Sequence, residues 1–389
     1  MNTNTFRFAA YFGAFYLTLG AFLPYFPVWL EGRGISAEWI GWIGAAGYAG
    51  RFIISPIAAR WSDKAPLQRQ PIWALALIAL IAFAMHLPTS SPWPLLILAL
   101  FASACFFGQI PLADAFAMRE SRAGKIPFGP VRAFGSAVFV LANFSAGALL
   151  DLSGSESVMV FVVTGAVFVV ISAFTLPKGE PPAPDTDRKI DWVQFGRLVR
   201  GPLGWALLAS ACIQGAHGFY YYFSAIAWVE QGHSQFTVGA LWATGVMIEI
   251  AFLWWSGKGL LGRLTPAQLF AVGAIGSILR WGLTSLGPPL PVLFGLQLFH
   301  ALTYAATYIG FLRFAVESMP DRHTATVQAI NSALSGGVIM ALAAAVSGYF
   351  YAWVGIGGFA IMIIPSAIGL VAAIALQRVS ALPHHKEID

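Results

Sequence analysis

The segment "LWATGVMIEIAFLWWSGKG" (residues 241–259) has the apolar character of a membrane-spanning helix, followed by a polar turn. Within it, Glu249 is the one Asp, Glu, Lys or Arg residue between Glu230 and Lys258. An ionised carboxylate in hydrocarbon costs several kcal/mol, and such residues generally face a polar interior and serve a function. We therefore predict a membrane protein in which Glu249 has a functional role.

The composition of the whole chain indicates the same class of protein. Its 389 residues are 58% hydrophobic and 10% charged, with a mean hydropathy of +0.72. A soluble globular protein carries about 25% charged residues, so this chain is predicted to be an integral membrane protein. Cys105 and Cys212 both fall in apolar runs, which indicates buried thiols rather than a disulfide framework.

Apolar runs long enough to cross a membrane recur along the chain. A span needs about 20 apolar residues to cross roughly 30 Å of hydrocarbon, and its backbone must be helical to satisfy its own hydrogen bonds. The first run lacks a small-residue cleavage site and is interpreted as a retained span. The sequence predicts twelve spans: residues 7–30, 37–60, 71–88, 92–117, 129–150, 157–176, 203–229, 236–257, 266–286, 291–316, 324–352 and 355–376.

The positions of Lys and Arg predict the sidedness of these spans. Of the 22 basic residues, 19 fall at the two termini or in the connections that follow even-numbered spans, and one, Arg33, follows an odd-numbered span. Basic residues are enriched in cytoplasmic loops, so both termini are predicted to be cytoplasmic. The net charge of +5 is then explained by topology, and no nucleic-acid partner is expected.

The longest connection divides the chain into halves. Residues 177–202 are first Pro-rich and polar, then carry apolar and basic residues at a spacing typical of an amphipathic helix on the membrane surface. We predict an all-α membrane protein with six-helix bundles at 1–176 and 203–376, a cytoplasmic linker at 177–202 and a cytoplasmic tail at 377–389.

The two halves also carry related sequences. "WSDKAPLQR" begins at Trp61, and "WSGKGLLGR" begins 194 residues later at Trp255. Parallel six-helix repeats with a midplane binding site are typical of major facilitators. The stretch "ARWSDKAPLQR" resembles the signature loop of the major facilitator superfamily, because Asp63 and Lys64 match it, although Pro66 replaces the usual glycine. The resemblance implies the major facilitator fold, with two pseudo-symmetric six-helix bundles.

Further stretches resemble one branch of that superfamily. "PLADAFAMRE", "CIQGAHGFYYYFSAIAW", "LRWGLTS" and "LQLFHALTYAATYIGFLRF" are similar to the 3-phenylpropionate/proton symporter family, which is related to the lactose permease and nucleoside symporter branches. The resemblance implies a transporter of the bacterial cytoplasmic (inner) membrane, functional as a monomer in the lipid bilayer. Its substrate would be a small aromatic carboxylate and its coupling ion a proton, with no other cofactor and no metal.

Other charges lie within predicted spans. The second span repeats glycine every third residue from Gly41 to Gly50, which predicts a face for close helix approach. Arg51 follows. When the two halves are aligned at an offset of 198 residues, Arg51 corresponds in sequence to Glu249. Arg280 lies at mid-depth in the ninth span. Because arginine stays protonated, it requires an anionic partner or water; the candidates are Glu249, as a structural ion pair, and a substrate carboxylate.

Two histidines and a tyrosine pair complete the candidate site. His217 and His300 are interpreted either as proton-relaying groups or as neutral hydrogen-bonding core residues. Tyr220 and Tyr221 follow His217 within one turn. All three are candidates, with Arg51 and Arg280, for substrate binding; the alternative for each tyrosine is helix packing.

The lactose permease branch suggests how these groups would act. Resemblance to it implies a proton-coupling cluster of Glu249, Arg280 and His300, and a carboxylate–arginine pair, Asp114 with Arg132, between the fourth and fifth helices. Asp114 is thereby a candidate for proton coupling, and the alternative is a packing salt bridge.

Motifs for other functions are absent or misplaced. "GKGLLG" (residues 257–262) satisfies the dinucleotide pattern but follows a membrane helix where a strand is required. Since no nucleotide-binding, hydrolase or metal-site pattern is present, we predict that the chain is not an enzyme. The sequence predicts proton-coupled uptake of a small aromatic carboxylate such as 3-phenylpropionate. The alternative is a proton-coupled transporter of a neutral solute such as a nucleoside or sugar; a cation exporter, a channel and an intramembrane enzyme rank lower.

Overall fold

In the computed structural model, the apolar runs form long helices. The structure describes residues 2–179, 196, 199–255, 262–319 and 321–380. The first half contains six of these helices. They are α1 (Thr3–Gly32), α2 (Ala37–Lys64), α3 (Arg69–His86), α4 (Pro92–Arg122), α5 (Phe128–Ser153) and α6 (Glu156–Thr175).

The second half has the same number of spans but more interruptions. Its α-helices are α7 (Pro202–Gly215), α8 (Gly218–Glu230), α9 (Gln235–Trp255), α10 (Pro266–Thr284), α11 (Leu290–Leu298), α12 (Thr307–Ser318), α13 (Asp321–Ala333), α14 (Met340–Val354) and α15 (Ile363–Ser380). Between them lie two π-helical turns, Ala301–Ala306 and Leu334–Ile339, and a 3-10 helix, Gly355–Met362.

All twelve predicted spans correspond to helical segments whose ends differ from the prediction by a few residues. The seventh span is broken at residues 216–217, between α7 and α8, and the tenth and eleventh each contain a π turn. Hydropathy does not detect such breaks because they leave the apolar character of the run unchanged. The all-α prediction is therefore confirmed, and the interruptions are new information.

Eight helical segments in the described part of the chain are long and apolar enough to cross a membrane. The second, seventh and ninth spans fall outside this set. The second includes Arg51 and a polar end, and Arg280 lowers the hydropathy of α10. The break between α7 and α8 leaves two pieces of 14 and 13 residues. The three spans outside the set are therefore those with polar residues or an irregular backbone.

Backbone contacts divide the chain into two compact units that differ from the predicted halves. The first unit comprises Met1–Pro184, Tyr221–Ala243 and Ala344–Ala352, and the second comprises the remaining segments. The second half of the sequence is thus shared between both units. The predicted division into bundles, linker and tail stays a prediction, and most of the linker and tail lies outside the described residues.

Glycines bring helices of the first unit into backbone contact. A Cβ atom at Gly41 would lie 2.7 Å from the carbonyl oxygen of Ala344, and one at Gly348 would lie 2.5 Å from that of Ala37. At Gly50 it would lie 2.5 Å from the carbonyl oxygen of Leu100 in α4. The glycine face predicted for α2 is confirmed: α14 packs against it at Gly41, and α4 packs against it at Gly50.

Gly41→Ala is therefore expected to lower the apparent unfolding temperature of the purified protein in detergent. The added methyl group meets backbone atoms, which cannot rotate away. The resulting overpacking is expected to lower the free energy of unfolding by about 1–3 kcal/mol. Gly295→Ala is the matched control, because Gly295 is also helical and has no heavy atom within 4 Å of an added Cβ. The control should be neutral or stabilising, since alanine is the better helix former. Equal unfolding temperatures for the two variants would contradict this account.

The start of α9 is held by a carboxylate from α5. Asp151 accepts hydrogen bonds from the backbone N–H groups of Gln235 at 2.8 Å and Phe236 at 2.9 Å. Tyr25 donates to the carbonyl oxygen of Gln235 at 2.9 Å. A carboxylate at a helix N-terminus satisfies free N–H groups and complements the helix dipole. These contacts place the beginning of the helix that carries Glu249.

Arg33, the single basic residue after an odd-numbered span, is paired. Its guanidinium donates two hydrogen bonds of 2.7 Å to the carboxylate of Glu156 and one of 3.1 Å to the carbonyl oxygen of Thr89. Hydrogen bonding to Glu156 raises the pKa of the Arg33 guanidinium. The bidentate geometry joins the ends of α1 and α6.

The second unit has its own apolar core, which supports the candidate site. Helices α7, α10, α12 and α15 contribute to it, and its larger buried side chains include Leu203, Ile213, Phe270, Phe311 and Leu376. Gly369 lets α15 approach α7, because a Cβ there would lie 2.6 Å from Ile213. This core fixes α10 and hence the position of Arg280.

Candidate functional site

Arg280 is the centre of a buried polar network in the second unit. Its side chain is 1% exposed. One terminal nitrogen, Nη2, donates to Oε1 of Gln297 at 2.9 Å. The other, Nη1, lies 3.2 Å from Oγ1 of Thr303 and 3.1 Å from Nδ1 of His300. These acceptors are neutral, so they stabilise the guanidinium without cancelling its charge.

Two aromatic rings flank the same guanidinium. The carbon Cζ of Arg280 lies 4.8 Å from the centroid of Tyr220 and 4.6 Å from that of Trp281. The hydroxyl of Tyr220 donates to Oε1 of Gln297 at 3.2 Å. Cation–π contacts of this kind strengthen when the groups are removed from water. The site therefore combines a fixed cation with aromatic surface.

Glu249 joins the network through His300. Its Oε2 atom lies 3.2 Å from Nε2 of His300, and its side chain is 21% exposed. Gly245 lies one turn earlier on α9, and a Cβ there would be 3.6 Å from His300, so the glycine leaves space for the imidazole. The structure thus brings Glu249, His300 and Arg280 together, with the imidazole between the carboxylate and the guanidinium.

Hydrogen-bonding chemistry assigns the proton on His300. A guanidinium is an obligate donor, so Nδ1 of His300 accepts from Arg280. The neutral ring then carries its proton on Nε2 and donates it to Glu249. Protonation of both ring nitrogens would place an N–H group against the N–H of Arg280. Of the three connected side chains, Glu249 is the one that can accept a proton without this conflict.

His217 occupies the break between α7 and α8. The carbonyl oxygen of Gln214 accepts from the backbone N–H of His217 at 3.1 Å and lies 2.9 Å from Nδ1 of its ring. The other ring nitrogen, Nε2, lies 3.1 Å from Oγ1 of Thr303, and the residue is fully buried. The structure therefore connects His217 to Arg280 through one hydroxyl group.

Tyr221 and Arg51 belong to the first compact unit. The ring of Tyr221 lies 5.7 Å from that of Trp242. Consecutive helical residues point about 100° apart, which explains why Tyr220 and Tyr221 have different neighbours. The Arg51 guanidinium lies over the rings of Tyr48 and Phe107, at 4.3 and 3.2 Å from their centroids. The substrate-binding roles of Tyr221 and Arg51 stay predictions.

The predicted pair between the fourth and fifth helices is present. Nε of Arg132 lies 3.0 Å from Oδ1 of Asp114, and Arg132 also donates to the hydroxyl of Tyr16. Both side chains of the pair are partly exposed. Asp63 and Lys64, predicted in a loop, belong to the last turn of α2 because that helix continues beyond its apolar part.

Sequence reasoning missed Gln297, Thr303 and Trp281. A signal for the first two exists in "LQLFHALTY" (residues 296–304), where Gln, His and Thr recur at intervals of three. That spacing places them on one side of a helix. The π turn at Ala301–Ala306 lies directly after His300, and single π turns are frequent at functional sites.

Comparison with known proteins identifies the family. The model of the MFS_1 like family matches residues 7–359. The chain belongs to this family. It is a membrane protein of the major facilitator superfamily, and both the predicted family and the predicted fold class are confirmed.

Individual relatives agree with this assignment. The chain is 30% identical over 354 residues to the "Probable 3-phenylpropionic acid transporter" of Escherichia coli (strain K12), covering 90% of this chain and 91% of that protein. It is 23% identical to "Maltose permease" of Geobacillus stearothermophilus, covering 88% and 86%. The nucleoside transporter NupG has a TM-score of 0.80 at 16% identity, covering 98% of this chain and 100% of that chain. The D-xylose-proton symporter has a TM-score of 0.71 at 13% identity, covering 98% of each.

Proposed function

We propose that this protein is a secondary transporter that couples proton entry to uptake of a small aromatic carboxylate such as 3-phenylpropionate. The observation that carries the proposal is the continuous contact from Glu249 through His300 to Arg280. It links a titratable acid to a permanent cation within one buried network. A protein that only needed to pack these helices would gain little from such an arrangement, since a buried ion pair often adds no stability over apolar residues.

Proton binding to Glu249 removes a partly buried negative charge from the network. His300 then loses its anionic partner, and the positive charge of Arg280 is balanced less well. An incoming carboxylate restores that balance, which makes proton and substrate binding mutually favourable. Release of the substrate reverses the preference and allows the proton to leave.

The aromatic neighbours of Arg280 suit the proposed substrate. Tyr220 and Trp281 offer ring faces close to the cation, so one site provides both a carboxylate partner and a stacking surface. The 30% identical Escherichia coli relative, named as a probable 3-phenylpropionic acid transporter, supports the same substrate class.

A neutral solute is the second candidate. In this case Arg280 would serve to hold Gln297, Thr303 and His300 in place and would not contact the substrate. The similar proteins include a maltose permease, a nucleoside transporter and a D-xylose-proton symporter, which supports this candidate. Both candidates require the same fold and the same proton-binding acid.

We further propose a bacterial cytoplasmic membrane location, cytoplasmic termini and function as a monomer. The distribution of basic residues supports the orientation.

Uptake of labelled 3-phenylpropionate into vesicles with an imposed pH gradient tests the proposal. We expect accumulation that collapses when the gradient is dissipated. Unlabelled carboxylates should compete, whereas the amide and the methyl ester of the same acid should not, because they lack the charge that Arg280 balances. Equal competition by acid and amide, or uptake of a nucleoside or sugar in place of the acid, would instead support the neutral-solute candidate.

A further inference from the structure

We propose that the hydroxyl group of Thr303 is a positioning group that holds His217 as a single neutral tautomer, so that the coupling proton is confined to the Glu249 side of Arg280. The proposal deepens the proposed function and rests on it for the identity of the proton-binding acid. Its structural part concerns hydrogen bonds among His217, Thr303 and Arg280 and stands on their geometry.

The order of donors and acceptors follows from His217. A carbonyl oxygen only accepts, so Nδ1 of His217 carries a proton and donates to Gln214 at 2.9 Å. In the neutral ring, Nε2 is then an acceptor. The group 3.1 Å from it is the hydroxyl of Thr303, which must supply the proton of that hydrogen bond.

Arg280 determines what the oxygen atom of the same hydroxyl group accepts. Nη1 of Arg280 donates to Oγ1 of Thr303 at 3.2 Å. The carbonyl oxygen of His300 is the other acceptor in reach of the hydroxyl proton, but at 3.5 Å it is at the limit of a hydrogen bond. The hydroxyl thus accepts from the guanidinium and donates to the imidazole of His217.

A proton on Nε2 of His217 would conflict with its surroundings. The charged and titratable groups that the described residues place near the ring include Arg280, His300 at 5.4 Å between ring centroids and Tyr304 at 5.8 Å; the ring of Tyr220 contacts Arg280. Trp281 covers the ring edge-on at 5.2 Å and adds no charge. Protonated His217 would be a second buried cation beside the guanidinium, and Thr303 would have to turn its proton away.

The π turn allows three side chains of one helix to contact Arg280. Gln297, His300 and Thr303 are spaced by three residues, and each contacts the guanidinium of Arg280. Thr303 lies inside the π turn Ala301–Ala306, where the widened backbone changes the direction of the following side chains. The network is thereby divided at Arg280: the neutral, fixed His217 lies on one side, and His300 with the proton-accepting Glu249 lies on the other.

Nitrogen NMR of protein carrying 15N-labelled histidine rings tests the structural part. The His217 signals are identified by their loss in a His217→Asn variant. Between about pH 5 and pH 8, where histidine normally titrates, we expect one protonated Nδ1 and one unprotonated, hydrogen-bonded Nε2 throughout. Thr303→Ser should retain this pattern, and Thr303→Val, which has the same shape without the hydroxyl, should move the Nε2 signal toward that of a free imine nitrogen. A protonated Nε2 in the unaltered protein, or identical spectra for the Ser and Val variants, would overturn the proposal.

The pH dependence of uptake tests the functional part. Loss of a hydrogen bond to a charged group corresponds to about a tenfold effect or more, so Thr303→Val should lower kcat/KM for uptake about tenfold and alter its pH profile. Thr303→Ser should restore most of the activity and the original profile. A Val variant with an unchanged pH profile would contradict confinement of the proton. Absence of proton-driven uptake in the unaltered protein, with the NMR pattern as expected, would reject the proposed function while leaving the tautomer assignment in place.

Discussion

Glu249→Gln is expected to abolish uphill accumulation of the substrate while preserving its binding and its equilibrium exchange. The amide has the shape of the carboxylate, and its oxygen accepts the same hydrogen bond from Nε2 of His300, which lies 3.2 Å from Oε2 in the native protein. It cannot take up a proton. A transporter whose acid is replaced in this way should behave as if permanently protonated, binding substrate but no longer coupled to the gradient.

The measurement is uptake into vesicles with and without an imposed pH gradient, together with exchange of internal for external labelled substrate. Glu317→Gln provides the matched control, because Glu317 is an exposed carboxylate near the end of α12, away from the network. It should accumulate substrate like the unaltered protein. Proton-driven accumulation by Glu249→Gln would remove Glu249 from the coupling mechanism.

Arg280→Lys should weaken substrate binding by at least about 100-fold, even though the charge is conserved. The planar guanidinium serves Gln297, Thr303 and His300 at the same time, and a single ammonium group cannot reach all three. A hydrogen bond to a charged group contributes about 1.5–3 kcal/mol, and 1.4 kcal/mol corresponds to a tenfold change in affinity, so a substrate carboxylate that loses the correctly placed guanidinium is expected to bind about 100-fold more weakly. The flat contact with Tyr220 and Trp281 is lost as well.

Binding of labelled 3-phenylpropionate to the purified protein measures this effect. Arg313→Lys is the control: Arg313 in α12 donates to the backbone carbonyl of Leu264 at 3.2 Å, and lysine can make a bond of that kind. Its affinity should stay close to that of the unaltered protein. If Arg280→Lys bound the carboxylate normally, the guanidinium could not be the substrate's partner, and the neutral-solute candidate would gain support.

Much of the fold was predictable because the bilayer imposes simple requirements. Apolar length and the need for internal backbone hydrogen bonds define the twelve spans, and their observed ends lie close to the predicted ones. The break around His217 and the π turn after His300 were not predictable in this way. Gly215, next to the break, lies against Ile339, and contacts of this kind between distant parts of the chain leave no trace in hydropathy.

The candidate site was predictable by residue type more than by geometry. Charges in apolar runs are costly, which singled out Glu249 and Arg280 without any coordinates. Glu249 was one of two candidate partners for Arg280, and the structure connects these two groups through the ring of His300. Gln297 and Thr303 carry no charge, so the energetic argument that found Glu249 could not find them, although they complete the shell of Arg280.

By itself, the sequence determined that this chain is a helical membrane protein, how many spans it has and which of them contain charged groups. These properties follow from one-dimensional quantities: the apolar length of each run and the cost of a charge in hydrocarbon. Only the tertiary structure decided which partner each of these groups has and which segments form each compact unit. Hydrogen bonds and helix contacts join residues far apart in the chain, and their directions depend on backbone positions that local sequence does not specify.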